Sequence, residues 1–358
     1  MRFPLHLATL VLTLALSEAA FGQGQLTPPG APAPLFKTLA QVEPRTPISS
    51  LPITINVPGS YYLTTNFTLA GGNAIIIVTN GVALDLNGFT ISSTAPSGNF
   101  GTAILFNSGL SDLSVGNGFI RSGFTNNGTN VYTGIGFAYG IHAGGGSGPL
   151  NTRVVGVSVS GCQSIGIDLG SGDSTLIESC TVRTIGGNGM TASTVKSSVA
   201  MDCHGIGIAA DQVSDSRGEC TVSDYGVLAN RAAHNCFGSS KSGYGLFANT
   251  AQNCYGYSVS YTGLGAVSAQ NCNGYSSSGI GLTAQTAANC FGISSSSAGI
   301  SVQTAQTCYG SSSTGTGLIA TIAMGCVGNS TSGRDLQATI ANSCTGSSNL
   351  ITYKYNMP

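Results

Sequence analysis

Hydrophobic and polar positions alternate in short elements that recur at a constant interval in the C-terminal third of the chain. A glycine–aliphatic pair such as Gly245-Leu246 follows nine residues after a cysteine, and an alanine such as Ala251 stands three residues before the next cysteine. Apolar positions spaced by two and separated by Gly, Asn and Ser predict short strands joined by turns. Seven cysteines mark the period: Cys236, Cys254, Cys272, Cys290, Cys308, Cys326 and Cys344.

The interval from Cys236 to Cys254 is repeated without exception as far as Cys344, and so strict a period predicts a solenoid of stacked coils. Helical repeats need roughly 33 residues or more and are therefore excluded. Alternation along the strands places Cys, Gly and Leu or Ala inside and the residue after each cysteine outside. We therefore predict an all-β fold, a single-stranded parallel β-helix with coils of about 18 residues and an inward Cys/Gly/Leu/Ala ladder.

The cysteine pattern extends upstream at irregular spacing, through Cys162, Cys180, Cys203 and Cys220. Irregular spacing indicates insertions in the turns, and sites on solenoids tend to be built there. We divide the chain into a signal peptide (1–22), a proline-rich linker and N-terminal cap (23–47), N-terminal coils with a long loop at 122–150 (48–161), irregular coils (162–235), regular coils (236–350) and a C-terminal tail (351–358).

Two segments near the N-terminus carry a resemblance to a known group. Residues 57–66 read Val-Pro-Gly-Ser-Tyr-Tyr-Leu-Thr-Thr-Asn, and residues 82–91 read Val-Ala-Leu-Asp-Leu-Asn-Gly-Phe-Thr-Ile. They resemble the opening coils of secreted bacterial right-handed parallel β-helix proteins of the pectin-lyase-like fold. The resemblance implies a right-handed helix over roughly residues 48–350. Left-handed hexapeptide β-helices repeat an aliphatic residue every six positions, which this sequence does not do. The fold hosts lyases, hydrolases and adhesins, so it does not assign an activity.

The N-terminus predicts export, and the composition excludes nucleic acid as a partner. Arg2, the apolar run Leu5–Leu16 and small residues near 19–22 are typical of a secretory signal peptide. This run is too short to span a membrane, and no other stretch reaches that length. Charged residues make up 7% of the chain, with a net charge of −1, so no basic stripe for nucleic acid is present. We expect a secreted or cell-surface protein, with polysaccharide or cell-surface material as its partner.

An exported protein with eleven cysteines first suggests disulfide bonds. Eleven is an odd number, and stacked side chains in adjacent coils point the same way, which is a poor geometry for bridging. We therefore expect an inward ladder of reduced thiols that act as small hydrophobic side chains. The spacing of Cys and His does not indicate a transition-metal site.

Most of the acidic residues cluster between residues 168 and 224. Glu178, Asp202 and Glu219 are candidate catalytic carboxylates, with His204 and Arg183 nearby. We expect stacked coils to align them along one outer edge, about 5–5.5 Å apart, as in retaining glycosidases. They could also bind Ca²⁺ or serve a lyase with an arginine, and Asp168 and Asp173 are further candidate Ca²⁺ ligands. The alternative is that all of them are solvated turn residues that keep a neutral solenoid soluble.

Aromatic residues recur on the predicted outer face, in the positions one and three residues after the cysteines. A ribbon of this kind can stack on sugar rings or contact a partner, or it can stabilise the sheet by stacking between coils. The candidate binding residues are Phe237, Tyr255, Tyr257, Tyr275, Phe291 and Tyr309.

Three functions are compatible with the sequence. We favour a secreted structural or surface-binding β-helix, because charges are scarce and the repeats are nearly identical. The first alternative is a carbohydrate-active enzyme, a polysaccharide lyase or glycoside hydrolase, with its site along the 178–219 edge. The second is a non-catalytic glycan-binding module that uses the aromatic ribbon. No cofactor is predicted, apart from the Ca²⁺ considered above.

Overall fold

A computed structural model describes residues 43–145, 148–170 and 174–357. These residues form 34 strands and no helix, and nearly all of the strands join one parallel sheet that winds about a single axis. The fold is a single-stranded right-handed parallel β-helix, as predicted. From Leu246 to Leu336 the pairing register follows the sequence period, so that each residue lies beside its equivalent in the next repeat.

The coils have three faces. Face 1 consists of β4 (Phe67–Leu69), β7 (Thr90–Ser93), the second halves of β9 (Ser111–Arg121) and β13 (Leu150–Ser160), β16 (Thr181–Ile185), β18 (Val199–Cys203), β20 (Arg217–Cys220), β22 (Phe237–Ser240), β24 (Tyr255–Ser258), β26 (Asn273–Ser276), β28 (Phe291–Ser294), β30 (Tyr309–Ser312) and β32 (Val327–Ser330). Face 2 begins with β2 (Ile53–Ile55), β5 (Ile75–Ile77), β8 (Thr102–Phe106), β12 (Tyr139–Ala143) and β14 (Ile165–Asp168). Face 3 begins with β1 (Thr46–Ile48), β3 (Gly59–Leu63), β6 (Val82–Asp85), the first halves of β9 and β13, and β15 (Thr175–Glu178).

Later coils build faces 2 and 3 from one bent strand each. The bent strands are β17 (Asn188–Lys196), β19 (Ile208–Ser214), β21 (Val227–His234), β23 (Leu246–Gln252), β25 (Leu264–Gln270), β27 (Leu282–Ala288), β29 (Ile300–Gln306), β31 (Leu318–Met324), β33 (Leu336–Asn342) and β34 (Asn349–Tyr355). A small antiparallel hairpin, β10 (Thr125–Asn126) and β11 (Tyr132–Thr133), stands outside the coils. β12 lies within the segment 122–150, and β34 extends to Tyr355 within the segment 351–358.

The corner between face 3 and face 1 explains the recurring Asn-Cys pair. Its first residue takes the left-handed backbone conformation in successive coils, as in Asn253 with φ of 55° and Asn271 with φ of 53°. Asparagine tolerates this conformation better than most residues. The following cysteine turns inward, and its thiol donates to the carbonyl two residues back, as from Cys254 Sγ to Gln252 O at 3.2 Å.

All eleven cysteines are buried and unbridged in this structure, in agreement with the predicted thiol ladder. The predicted upstream continuation of the ladder is only partly right. Cys180 continues the same corner through Ser198 and Ser216 to Cys236, because Ser198 Oγ accepts from Cys180 N and Ser216 Oγ from Ser198 N. Cys203 and Cys220 instead pair with each other at the opposite end of face 1.

That opposite end carries a second ladder that sequence reasoning missed. Cys203 and Cys220 continue there as the buried Ser240, Ser258 and their successors. The Ser258 hydroxyl donates to Gly243 O at 2.8 Å and accepts from Tyr261 N at 3.0 Å, so each serine ties its own turn to the preceding coil. The coils keep a period of 18 residues from Cys180 to Ser198 and from Ser198 to Ser216. The spacing of the cysteines is uneven because serine replaces cysteine at this corner, whereas cysteine takes the place of serine at the opposite end of face 1.

The interior of the regular coils is as narrow as the small inward residues predict. A Cβ atom added at Gly256 on face 1 would lie 2.2 Å from the carbonyl oxygen of Gly263 at the start of face 2. Real Cβ atoms do not come that close, so the glycines are needed where the two faces meet. Leucines such as Leu246 and Leu264 fill the remaining space and are fully buried.

Candidate functional site

The aromatic ribbon lies on face 1 and points outward, as the sequence predicts. The residue after each cysteine forms one row, Phe237, Tyr255, Asn273, Phe291, Tyr309 and Val327, and the residue two further on forms a second row that includes Tyr257 and Tyr275. We call this surface the aromatic face. Tyr255 is 36% exposed and Phe291 is 38% exposed.

The rings of the aromatic face stack on one another along the helix axis. The Phe237 and Tyr255 rings lie 5.4 Å apart with an angle of 3° between their planes, and Phe291 and Tyr309 lie 4.8 Å apart at 6°. Because each ring covers the flat side of its neighbour, the edges of stacked rings face the solvent. The ribbon is therefore a stabilising stack as well as a surface, and it offers few open ring faces to a sugar.

Arg217 and Glu219 lie at the N-terminal end of this stack. The Arg217 guanidinium lies 4.8 Å above the Phe237 ring centre, which is the geometry of a cation–π contact. The same guanidinium donates to the Glu219 carboxylate two residues along β20, with 2.8 Å between Arg217 Nε and Glu219 Oε1. Glu219, a predicted catalytic residue, is thus held by an arginine on its own strand.

Asp202, the second predicted catalytic residue, anchors the β10–β11 hairpin. It lies in the coil before Glu219, where β18 has one residue more than β20, and this bulge gives Asp202 a φ of 53°. Asn126 Nδ2 and the Tyr132 hydroxyl each donate to Asp202 Oδ1 at 2.7 Å. The Tyr132 ring meets the His204 ring edge-on at 5.4 Å, and burial raises the pKa of Tyr132. Asp202 and His204 therefore hold a loop in place.

The expected single edge of carboxylates does not form. Arg183, Asp202 and Glu219 lie on face 1 in successive coils, but Glu178 lies on face 3, where it forms an ion pair with Lys196 at 3.5 Å. Cys180 and Cys203 lie at opposite ends of face 1, so residues that stand just before each of these cysteines do not align in the structure.

Of the two further predicted Ca²⁺ ligands, Asp173 lies outside the described residues and Asp168 lies on face 2. Asp168 Oδ2 is 3.2 Å from His142 Nδ1, although the two are not aligned for a hydrogen bond. Its other oxygen accepts from Gly170 N at 2.9 Å. Within residues 43–145, 148–170 and 174–357, no three His, Cys, Asp or Glu side chains are placed to share a metal ion.

A groove beside the aromatic face was missed by sequence reasoning. It holds about 480 Å³ and is lined by the Phe237 and Tyr255 rings, by Arg217 and by the corner asparagines. The asparagine side chains form a hydrogen-bonded ladder, in which Asn271 donates to Asn253 and Asn253 donates to Asn235, each at 3.2 Å. Asn235 then donates to the Asp215 carboxylate at 3.0 Å. The signal in the sequence was the asparagine that precedes Cys236, Cys254, Cys272 and Cys290.

A second groove of about 430 Å³ crosses face 3 near the N-terminal end. Arg45 and Asp85 form an ion pair at 2.7 Å on one side, and Asp85 also accepts from Asn87 N at 2.7 Å. The exposed side chain of Arg153 lines the other side. Asp85 therefore supports a turn and an arginine, a structural role that suits its place in the Leu-Asp-Leu-Asn-Gly segment.

The upstream thiols have the chemistry of buried hydrophobic groups. Burial raises the pKa of the Cys162 thiol to about 12 and that of Cys180 to about 11. A thiol with a raised pKa forms little thiolate near neutral pH, and the thiolate is the nucleophile and metal ligand. These two cysteines are therefore poor candidates for catalysis.

No protein family, no curated protein and no solved structure matches this chain. The pectin-lyase-like resemblance of residues 57–91 is thus supported for the β-helix fold alone. No helix of the described residues has the length and hydropathy to cross a bilayer.

Proposed function

We propose that this chain is a non-catalytic, surface-binding β-helix that uses the aromatic face as its contact surface. The observation that carries the proposal is the pair of outward rows on face 1, which together place at least one aromatic ring in each of five successive coils: Phe237, Tyr255 and Tyr257, Tyr275, Phe291 and Tyr309. Coils stack at about 4.8 Å, so such rows suit a flat or repetitive partner.

The charge distribution supports binding over catalysis. From Cys236 to Cys344 the charged residues are Lys241, Arg334 and Asp335, and Asp335 is only 5% exposed. Upstream, the three candidate carboxylates each have a partner within the chain: Asn126 and Tyr132 for Asp202, Arg217 for Glu219, and Lys196 for Glu178. A general acid or nucleophile needs a carboxylate directed at a substrate.

A binding and cleavage assay with the full chain tests this proposal. We expect retention on immobilised neutral or acidic polysaccharides without release of new reducing or unsaturated ends, with and without Ca²⁺. Replacing both Tyr255 and Tyr309 by alanine should weaken retention, whereas Tyr353→Ala, on the last strand outside the face, should not. Cleavage that disappears in Asp202→Ala or Glu219→Ala would establish the enzyme alternative instead.

The groove beside the aromatic face favours a glycan-binding module as the second candidate. Its asparagine ladder and Arg217 offer amide and guanidinium donors next to the Phe237 and Tyr255 ring edges, and sugar hydroxyls bind to such donors. Asn253→Ala would then weaken binding to a glycan array more than Asn342→Ala, a matched change on face 3. Equal binding by the two variants would exclude the groove.

The proposal includes export to the cell surface or the medium. It is supported by the signal-peptide pattern of residues 2–22, which lie outside the described residues. N-terminal sequencing of protein recovered from the medium should begin near residue 20–23. Recovery of chains that still begin at Met1, and only from the cytoplasm, would contradict it.

A further inference from the structure

The turn between faces 1 and 2 contains a slot unlike the turns of later coils. Val227, Leu246 and Leu264 pair in successive coils, so Asp224, Gly243 and Tyr261, each three residues earlier, occupy the same place in three consecutive turns. The next place along the turn holds Tyr225 and then Tyr244. We call the space that these five residues line together with Ser223 and Ser242 the tyrosine slot; its volume is about 270 Å³.

Gly243 opens the slot by contributing no side chain to its floor. A Cβ atom there would lie 2.2 Å from the carbonyl oxygen of Asp224, so any other residue would have to displace the backbone. Asp224 and Tyr261 stand on either side of Gly243, two coil steps or about 10 Å apart along the axis. The backbone therefore requires glycine at this position, which keeps the floor of the slot free of a side chain.

Tyrosine rings form the walls. Tyr225 and Tyr244 are parallel, 5.6 Å apart at 2°, and the Tyr261 ring stands at 84° to Tyr244 with 4.9 Å between the ring centres. All three rings line the slot, and the Tyr261 ring is perpendicular to the Tyr244 ring. Phe247 supports Tyr244 from the side at 5.2 Å, and Gly265 leaves room for both rings, since a Cβ there would lie 2.6 Å from Tyr244 Cε1.

The electrostatics of the slot are negative. The Asp224 carboxylate accepts one hydrogen bond, from Tyr225 N at 3.0 Å, and forms no ion pair with any described residue. Ring faces carry the negative part of the aromatic quadrupole. Burial, followed by the Tyr261 hydroxyl, raises the pKa of Tyr244 to about 12, so its phenol stays neutral near pH 7.

We propose that the tyrosine slot binds a small organic cation of the alkylammonium class, with the ammonium against the Tyr244 and Tyr261 rings and beside the Asp224 carboxylate. Aromatic walls with one carboxylate attract a weakly hydrated cation by cation–π and charge interactions. A divalent metal ion would need several oxygen ligands, and the slot offers one carboxylate. A cavity of this volume is below the usual range for drug-sized ligands, which suits a quaternary or primary ammonium head group.

Calorimetric titration of the full chain with choline and with tetramethylammonium tests the proposal. The neutral isostere 3,3-dimethylbutan-1-ol has the shape of choline without its charge, and it should bind at least about tenfold more weakly than choline if charge and ring contacts carry the binding. Saturable binding of both cations with this preference supports the proposal. Failure of both cations to bind, or equal binding of the alcohol, overturns it.

Two variants and two matched controls assign the binding to the slot. Tyr261→Leu keeps apolar bulk but removes the ring, and Asp224→Asn removes the charge; each should weaken choline binding by about fivefold. Tyr353→Leu, at an exposed tyrosine of the last strand, and Asp211→Asn, at a carboxylate that contacts Arg231, should bind choline as the wild type does. Circular dichroism checks that all four are folded. Wild-type affinity in both slot variants would overturn the assignment.

Discussion

Replacing Thr307 by asparagine should stabilise the β-helix. Thr307 occupies the corner position just before Cys308, with φ of 51°. The three preceding coils place Asn253, Asn271 and Asn289 there, with φ between 53° and 55°, and the following coil places Gly325 there. A β-branched residue in this left-handed region is a steric outlier, whereas asparagine adopts it several times more often than other residues.

The expected gain follows from the backbone and from the amide ladder. The left-handed conformation costs an ordinary L-residue roughly 1–2 kcal/mol, and asparagine avoids part of this cost. The new side chain could also donate to Asn289, as Asn271 donates to Asn253 at 3.2 Å, which adds about 0.5 kcal/mol for an exposed hydrogen bond. The variant should therefore gain about 1–2 kcal/mol in the free energy of unfolding. In a chain of this length that corresponds to a rise in Tm of roughly 1–3 °C.

Thermal and urea unfolding followed by circular dichroism measure this gain. Thr307→Gly is the first control: it removes the strain but adds flexibility to the unfolded chain, so it should stay within about 0.5 kcal/mol of the wild type. Asn271→Thr is the second and should lose about as much as Thr307→Asn gains. A Thr307→Asn protein no more stable than the wild type, together with an unaffected Asn271→Thr protein, would refute the strain argument.

Three further predictions concern the buried thiol of Cys290 and the carboxylates of Asp202 and Asp335. Cys290→Ser should shift the urea midpoint little, because the Ser198 hydroxyl makes the equivalent hydrogen bond to a carbonyl, at 2.7 Å, at the same corner. Cys290→Leu should lower the free energy of unfolding by about 1–3 kcal/mol, because the larger side chain overpacks the interior. Equal losses in the two variants would contradict this. Asp202→Ala should expose the β10–β11 hairpin to hydrogen exchange and leave exchange in the regular coils unchanged. Burial alone would raise the pKa of Asp335, but N–H groups of Ser348, Ser330 and Ser347 lower it below its ordinary value. The ionised Asp335 carboxylate therefore stabilises the folded chain above the pKa of the unfolded state, near 3.9. This stabilisation is lost as the pH falls through the lower pKa of the folded state. The Asp335→Asn variant should not show this loss.

The regular coils could be predicted because their period and their alternation agree. A constant spacing fixes the stacking, and alternation then fixes which side of each strand is buried, so Cys290 and Leu282 are inside and Phe291 is outside. The prediction needed no side-chain detail. It extends as far as the spacing is constant.

The irregular coils could not be predicted, because an extra residue can be absorbed in several places. One bulge in β18 moves Asp202 toward the hairpin, and another in β21 lies between Ala229 and Ala232. Because of the extra residue in β21, Val227 and its partner Leu246 are one position further apart than the regular period. A search of the sequence at the regular period therefore does not align Asp224 with Gly243. The tyrosine slot was missed for this reason, and the charged candidates near it were assigned to one edge although they lie on two faces.

The two proposed surfaces differ in repetition, and this difference separates them experimentally. The aromatic face presents similar groups in successive coils, so a partner with its own repeat can contact several coils at once, and its affinity should rise steeply with the number of units it carries. The tyrosine slot occurs once, because Tyr244 gives way to Thr262 in the next coil and no later turn pairs a carboxylate with a tyrosine across a glycine. The affinity for a ligand with a single ammonium group should therefore depend neither on the length of the ligand nor on the density at which the ligand is immobilised. An oligomeric ligand whose affinity rises with length and is unaffected by saturating choline would act on the aromatic face, whereas competition by choline would place it in the slot.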